Sequence, residues 1–219
     1  MARTTTTPRR AGRPTADAAV PGQALLDAAL RAFATYGYDG VSVRTLSREL
    51  GVSHNLMNER FGSKQGLWRA AVDHGFGDLV RQMDSAFDPT LTDPLDQLAL
   101  VIRAFLRYSA ANPHLLGLMD IEGRLASERL DYIYDTYMAP ALAGVGRLLD
   151  HLIQAGRIKP ISLRALHFLI AHGAAAPFTL IPLARRLDPS DPLSAPNVTG
   201  HADLIADIII EGLRLPTAR

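Results

Sequence analysis

Two short helical patterns separated by a glycine turn, within residues 41–68, constrain the fold of this chain more than any other feature. Ser42 and Ser53 each precede one of the patterns, and a serine there can cap a helix by accepting a hydrogen bond from a free backbone N–H. Gly51 lies where the chain must turn sharply without a Cβ penalty. The segment predicts a helix-turn-helix, whose second helix can lie in a DNA major groove.

A longer ordered pattern surrounds these two helices. Its positions are residues 25–33, 36–38, 42–46, 50–53 and 61–64, followed by Leu67. The pattern resembles the TetR (tetracycline-repressor-like) family of one-component transcriptional regulators and covers roughly the first third of the chain. The resemblance implies an all-α fold, in which an N-terminal three-helix head with the helix-turn-helix precedes a larger C-terminal helical ligand-binding and dimerisation body.

The chain divides into three expected segments. Residues 1–21 lack apolar periodicity and carry four arginines before the first acid, Asp17. They are predicted to be a disordered basic arm, either a solvated tail or an arm that enters a minor groove. Residues 22–68 form the predicted DNA-binding domain, and residues 69–219 form the predicted ligand-binding and dimerisation domain.

Apolar residues recur at helical spacing after residue 22, and no stretch shows the alternation typical of a strand. Besides the helix-turn-helix, the predicted helices cover about residues 23–36, 64–82, 95–111, 114–125, 127–153, 162–176 and 201–215. Gly37 should stop the first of them, and Gly75 and Gly77 favour a bend in the second. We expect Pro140 to kink the helix of residues 127–153 and Thr199 to cap the last helix.

Composition and charge exclude several classes of function. The 219 residues include no cysteine, which removes disulfides, thiolate nucleophiles and cysteine zinc sites. No apolar run is long enough to cross a membrane and the N-terminus lacks the apolar core of a secretory signal, so a cytoplasmic, nucleoid-associated location is expected. Residues 1–70 carry 10 Lys/Arg against 5 Asp/Glu, whereas residues 71–219 carry 13 against 17. The positive charge therefore lies with the helix-turn-helix, as expected for a segment that faces phosphate.

By the resemblance, residues 53–60 form the DNA recognition helix. Helical phase turns Met57 and Phe61 inward and leaves the other side chains available to DNA. The expected DNA-binding residues are Arg44, Thr45, His54, Asn55, Leu56, Asn58, Arg60 and Lys64. Basic side chains and Thr45 would contact phosphates, whereas an asparagine would pair with adenine and Leu56 would pack on a thymine methyl.

Two positions depart from the family pattern. Asn58 stands where the family usually has an aromatic residue, and Glu59 stands where it commonly has His or Trp. The first change removes a usual phosphate and packing contact, and the second places an acid near phosphate. Ordinary alternatives stay open for individual residues, since Leu56 would also fit a core position, and His54 and Glu59 would also fit a solvated surface.

The helices of residues 95–180 carry polar and aromatic groups among apolar ones. The candidates are Arg103, Phe105, Tyr108, His114, Met119, Glu122, Tyr132, Tyr137, His167, His172 and Phe178. A mostly apolar pocket with a few polar groups would suit a small-molecule effector. The expected lining is Arg103, Phe105, Tyr108, Met119, Glu122, Tyr132, His167 and Phe178, although each of them would also fit the core or the surface.

By the resemblance, the last two helices pair with their copies in a dimeric four-helix bundle. The expected interface residues are Leu166, Ile170, Ala174, Leu204, Ile208 and Leu213. No metal site is predicted, because the five-residue spacing of His167 and His172 separates them by about 140° on an α-helix. No cofactor is expected either.

The favoured function is a homodimeric, sequence-specific transcriptional regulator. A repressor is expected, released from a pseudo-palindromic operator by a small, largely apolar ligand. Its partners would be double-stranded DNA, a small-molecule effector and a second copy of the chain, with no membrane. The alternatives are a ligand-independent architectural DNA-binding protein and a small helical enzyme. The enzyme is disfavoured because the sequence has no Gly-x-Ser-x-Gly, no phosphate-cradling loop and no acid/base constellation.

Overall fold

The computed structural model of the protein describes residues 22–215, so the predicted basic arm of residues 1–21 lies outside the described residues. The α-helices are α1 (Gly22–Gly40), α2 (Val43–Glu49), α3 (His54–Phe61), α4 (Lys64–Ser85), α5 (Pro94–Ala111), α6 (Pro113–Glu122), α7 (Glu128–Ile133), α8 (Ala139–Gln154), α9 (Leu163–Phe168), α10 (Ala176–Thr179), α11 (Ile181–Leu187) and α12 (Ala195–Leu213). Within this range the all-α prediction is confirmed. No helix of residues 22–215 has the length and apolar character needed to cross a membrane.

Serine caps fix the boundaries of the helices in the head. The hydroxyls of Ser42, Ser53 and Ser63 each accept a hydrogen bond from the backbone N–H three residues further on, at 3.0 to 3.3 Å. Gly51 has a φ of 68° between α2 and α3, a value that favours glycine. The caps and the turn confirm the helix-turn-helix that the sequence predicted.

The structure confirms one predicted boundary and differs at another. Gly37 ends the regular part of the first helix as predicted, with φ 68° and ψ 171°, and a short helical segment beyond this kink takes α1 on to Gly40. The last helix begins at Ala195, so Thr199 lies within its second turn and is not its cap. α4 is assigned as one continuous helix from Lys64 to Ser85, through both of its inner glycines.

Two π-helical stretches replace regular α-helix in the body. Tyr134–Met138 lies between α7 and α8, and Leu169–Ala174 follows α9. The predicted kink at Pro140 is therefore a widened turn that ends just before this residue. Proline has no N–H to donate to a preceding carbonyl, so the α-helical hydrogen-bond pattern cannot pass through it unchanged. A proline, Pro177, also follows the second stretch.

The buried side chains form two clusters, and the first does not end with the head. It contains Phe33 of α1 and Trp68 of α4, together with Leu115, Leu118 and Ile133 of the body. The second cluster joins α5, α8, α9 and α12. Helices α6 and α7 therefore complete the core on which the helix-turn-helix rests, and the packing continues across the boundary expected after residue 68.

Head and body approach each other closely at Gly75 of α4. A Cβ atom built at this residue would lie 2.8 Å from Leu30 Cδ2 of α1 and 2.7 Å from Leu115 Cδ2 of α6. Heavy atoms do not approach so closely without displacement, so the absence of a side chain lets the three helices meet. Gly77, one half-turn further on, has its nearest neighbour at 3.5 Å.

Gly75→Ala should be less stable than Gly77→Ala by about 1–3 kcal/mol, the usual cost of overpacking a core. Both variants gain the same helix propensity, so the difference isolates the contact with Leu30 and Leu115. Chemical denaturation of the two purified variants measures it. Equal stabilities would show that the two leucines move aside freely and that the contact does not hold head and body together.

Candidate functional site

Helix α3 presents a polar face to solvent. Met57 is buried, whereas the exposed residues are His54, Asn55, Asn58, Glu59 and Arg60, and Leu56 is half-buried. Asn58 Nδ2 lies 3.5 Å from His54 Nε2, so these two side chains share one side of the helix. The predicted base-reading residues of α3 are accordingly accessible, while Leu56 also contacts the core of the head.

The predicted phosphate-binding residues surround α3. Arg44 is exposed and Thr45 half-buried on α2, and the Arg60 guanidinium lies 5.7 Å from the Phe61 ring centroid. Lys64, at the start of α4, lies 4.7 Å from the Tyr38 ring centroid and donates to the Asp39 carbonyl at 3.3 Å. Two of the cations are thus held against aromatic rings beside the recognition helix.

An internal cavity of about 170 Å³ lies in the body. Its walls come from α4, α5, α6, α8, α9 and the residues of both π-helical stretches. Most lining side chains are aliphatic or aromatic, and the polar ones are Tyr108, Ser109, Asn112, Tyr137, His167 and His172. No Lys, Arg, Asp or Glu is among the lining residues. The cavity thus suits an apolar molecule with few polar groups.

The structure separates the eight predicted pocket residues into two groups. Phe105, Tyr108, Met119 and His167 line the cavity, as do the candidates Tyr137 and His172. Arg103, Glu122, Tyr132 and Phe178 do not line it, and each of these four has a partner elsewhere.

Arg103 and Phe178 hold the body together. Arg103 Nε lies 3.1 Å from Asp203 Oδ1 and its Nη2 lies 2.6 Å from Asp207 Oδ1, which ties α5 to α12. Phe178 is buried in the body core, with its ring centroid 5.3 Å from that of His201. Their partners lie too far along the sequence for a local pattern to show them.

Glu122 is 1% exposed and forms an ion pair that reaches the head. Its two carboxylate oxygens accept from Arg129 Nε at 2.9 and 3.0 Å. The same guanidinium lies 4.4 Å from the ring centroid of Tyr38, the ring that Lys64 also faces. A buried carboxylate of the body is thus connected through Arg129 and Tyr38 to the start of α4.

Three tyrosines connect α4 to the body. Tyr132 and Tyr137, five residues apart, both donate to Asp73 Oδ1 at 2.7 Å. Tyr108 donates to Asp78 Oδ2 at 3.0 Å, and its hydroxyl lies 3.2 Å from the Gly75 carbonyl. Tyr108 and Tyr137 also line the cavity, so two of the three hydroxyls join the cavity wall to α4.

Burial raises the pKa of Tyr108 and of Tyr137 well above the usual range, and the hydrogen bond to an aspartate raises each pKa further. Both hydroxyls therefore stay protonated and donate at every pH at which the protein works. Sequence reasoning missed Asp73 and Asp78, since they lie on a helix that pattern alone assigns only to packing.

Two neighbouring histidines line the cavity. His167 and His172 have ring centroids 6.2 Å apart, and His172 Nδ1 lies 3.0 Å from Asp120 Oδ1 of α6. The expectation that they face different directions is wrong, because the π-helical stretch between them replaces the α-helical step. Even so, no group of three or more His, Cys, Asp or Glu among residues 22–215 could hold a metal ion.

The predicted dimer residues fall on two sides of their helices. Leu204 and Ile208 of α12 are 59% and 57% exposed. Leu166 and Ala174 are buried within the chain, while Ile170 and Leu166 line the cavity. An apolar groove between α12 and the second π-helical stretch is lined by Leu169, Gly173, Ala174, His201, Ile205, Ile208, Ile209, Gly212 and Leu213. The outward face therefore contains Leu169 where the sequence suggested Leu166.

A helix-turn-helix head on a helical body with an apolar cavity is typical of DNA-binding transcriptional regulators. The sequence matches the family profile described as "Bacterial regulatory proteins, tetR family" over residues 25–71. It also matches the profile described as "Tetracyclin repressor-like, C-terminal domain" over residues 94–209. The chain belongs to the TetR family, whose members are transcriptional regulators. No curated protein sequence matches it.

Solved structures with the same fold cover nearly the whole chain. A ketosteroid transcriptional regulator of Mycobacterium tuberculosis is 18% identical, with a TM-score of 0.69, over 88% of this chain and 94% of its own. The FadR regulator of Bacillus subtilis, in complex with stearoyl-CoA, is 19% identical, with a TM-score of 0.61, over 86% of this chain and 97% of its own. A protein of unknown function from Rhodococcus sp. RHA1 is 24% identical, with a TM-score of 0.62, over 87% of this chain and 94% of its own.

Arg129→Met should lower the free energy of unfolding by about 3 kcal/mol, because it leaves the buried Glu122 carboxylate without its partner. The double variant with Glu122→Gln should recover part of that loss, since the charge is then gone. Chemical denaturation measures both variants. Arg81→Met is the control, because Arg81 pairs with Asp78 at the surface and such pairs are worth less than about 1 kcal/mol. If Arg129→Met and Arg81→Met lowered the free energy of unfolding equally, the buried pair would not have the stabilising role assigned to it.

Proposed function

We propose that this regulator is a homodimeric repressor that leaves its operator when a small, largely apolar molecule enters the cavity. The observation that carries the proposal is the position of the cavity, one wall of which is α4, the helix that begins beside the recognition helix. A molecule that fits one arrangement of this wall better than another shifts the population of the two arrangements.

The composition of the cavity supports an apolar effector. Its lining holds no permanently charged side chain, so a strongly charged molecule would lose its hydration without a counter-charge. A dry cavity of about 150 Å³ in another protein holds benzene, and the present cavity of about 170 Å³ is of similar size. One protein of similar fold was solved with stearoyl-CoA bound, so this architecture accepts apolar chains.

The exposed apolar face of the last helices supports a dimer. Leu169, Leu204 and Ile208 are exposed, large and apolar, and Leu169 and Ile208 line one groove. Monomeric proteins rarely expose a contiguous face of this kind, because covering it removes apolar surface from water. A second copy placed on this face would pair the α12 helices and give two recognition helices for one operator.

The route from cavity to DNA passes through α4. Tyr137 joins the cavity wall to Asp73, and Tyr108 joins it to Asp78. Each is a hydrogen bond to a carboxylate, of the kind worth about 1.5–3 kcal/mol. An effector that displaces either hydroxyl therefore changes the free energy that holds α4 in place. Because α4 begins just after the recognition helix, this change reaches the DNA-binding head.

Selection of bound duplexes from a random DNA library, at near-physiological salt, tests the proposal directly. A two-fold-symmetric motif is expected, because a dimer presents two recognition helices about one helical turn apart. Compounds are then screened for release of that operator. Recovery of no motif, with binding that vanishes as salt rises, would favour an architectural DNA-binding protein instead.

Asn58→Ala and Lys64→Ala should differ in their effects on the selected operator. Asn58 is exposed on α3, so its loss should weaken binding by about 1–3 kcal/mol only where its base pair is present. Lys64→Ala should weaken binding to every sequence and reduce the salt slope by about 1. Binding titrations on the operator and on single-base variants, at several salt concentrations, measure both effects.

Arg147→Ala is the matched control, since Arg147 is an exposed cation of α8 in the body. It should change neither the salt slope nor the base preference. A uniform loss of affinity with Asn58→Ala would remove this residue from base recognition and leave only the phosphate contacts.

Tyr137→Phe should reduce the coupling between effector and operator. The variant keeps the ring in the cavity wall but removes the hydrogen bond to Asp73. A compound that releases the wild-type protein from its operator should still bind this variant, but it should lower the variant's operator affinity by less. A loss of about 1 kcal/mol in coupling free energy is expected, within the usual range of such couplings. Operator titrations with and without the compound give the coupling.

Tyr134→Phe serves as the control, because Tyr134 lies in the same π-helical stretch and does not line the cavity. It should retain the wild-type coupling. Wild-type coupling in Tyr137→Phe as well would show that the signal reaches α4 by another route.

A further inference from the structure

We propose that His167 and His172 form the polar end of the effector cavity and bind the carboxylate of a small apolar acid. The inference rests on the proposed function, since it names the chemical class of the effector for the same cavity. It goes further by assigning recognition to two imidazoles whose ring centroids lie 6.2 Å apart in a lining without Lys, Arg, Asp or Glu.

The backbone brings the two imidazoles together. They lie five residues apart, on either side of the start of the π-helical stretch Leu169–Ala174. In that stretch the N–H of Ala175 donates to the carbonyl of Ile170 at 3.0 Å, a step of five residues. Residues five apart therefore come onto nearly the same face. Both rings consequently line one cavity instead of diverging around an α-helix.

His172 is fixed in position by two neighbours. Its Nδ1 lies 3.0 Å from Asp120 Oδ1, and its ring stacks on Phe168 with centroids 5.1 Å apart. With Nδ1 turned towards this carboxylate, Nε2 is the nitrogen left for a ligand. The side chains of His172 and Asp120 are about one-third exposed or more, at 35% and 40%, so this end of the cavity opens towards solvent.

The remaining ionisable groups of the lining cannot replace the histidines. They are Tyr108 and Tyr137, whose pKa values are raised by burial and by their aspartate partners, so both stay uncharged. Asp120 faces His172 from α6, and the pair it forms is neutral when the imidazole is protonated. An acid bound in the cavity would therefore obtain its counter-charge from His167.

Burial, together with the neighbouring His172, lowers the pKa of His167. The free protein thus holds this imidazole neutral near pH 7. A bound carboxylate favours the charged form and raises the pKa again, so binding takes up a proton. Affinity for the carboxylate is then highest below the pKa that His167 has in the free protein. It falls by up to about tenfold per pH unit as the pH rises from that value towards the pKa of His167 in the complex.

Hexanoate and hexanamide are suitable probes. Each has about eight non-hydrogen atoms, close to the size of the aromatic molecule that a cavity of about 150 Å³ holds. The two differ in charge and hardly in shape. Calorimetric titration of the full chain at about pH 6 and about pH 8, in two buffers of different ionisation enthalpy, gives the affinity and the number of protons taken up.

Hexanoate should bind more tightly at the lower pH and take up protons on binding, whereas hexanamide should show neither effect. His167→Gln should weaken hexanoate by about tenfold or more, because it removes a charge-assisted hydrogen bond, and should leave hexanamide unchanged. His151→Gln is the matched control, since His151 is exposed on α8 and does not line the cavity. Thermal unfolding shows whether each variant is folded.

Equal binding of hexanoate and hexanamide, or hexanoate binding without proton uptake, overturns the assignment without any variant. Failure of hexanoate to bind also overturns it, because the cavity would then not accept an acid of fitting size. None of these results removes the proposed function, which fails only if no symmetric operator is selected or no compound releases it. The two proposals therefore fail by different measurements.

Discussion

The packing of head against body depends on the point where Leu30, Gly75 and Leu115 meet. Leu30 belongs to the head, Leu115 to the body, and Gly75 to the helix between them. Because packed interiors are dense, a shift of one of these helices displaces the other two. The shared core also contains Trp68 and Ile133. Head and body thus share one continuous core, although their sequences match two separate family profiles.

Polar contacts join the body to α4 at two separate places. The tyrosine hydroxyls act on the middle of α4, at Asp73 and Asp78. The Glu122–Arg129 pair acts through Tyr38 on its first residue, Lys64. A change in the cavity therefore bears on α4 where it lines the cavity, while the start of the helix is held separately.

Local structure in the head could be predicted from the sequence because its determinants are local. Ser42, Ser53 and Ser63 each accept from an N–H only three residues away, so the cap and its helix appear in one short stretch. Less of the body could be predicted, because its contacts join distant parts of the sequence. Arg103 pairs with acids about a hundred residues later, and Tyr132 donates to Asp73, fifty-nine residues earlier. Residue type alone placed both in the pocket, whereas tertiary partners hold them elsewhere.

The largest departure from expectation has a geometric cause that recurs. A fixed α-helical step of about 100° per residue separates positions i and i+5, and on that basis His167 and His172 were expected to diverge. The π-helical stretches change the step, so this pair shares the cavity while Tyr132 and Tyr137 share the Asp73 oxygen. Each stretch precedes a proline, Pro140 or Pro177, which is the signal available in the sequence. A polar pair five residues apart and shortly before a proline therefore merits consideration as a joint site, because the proline interrupts the pattern that would keep the pair apart.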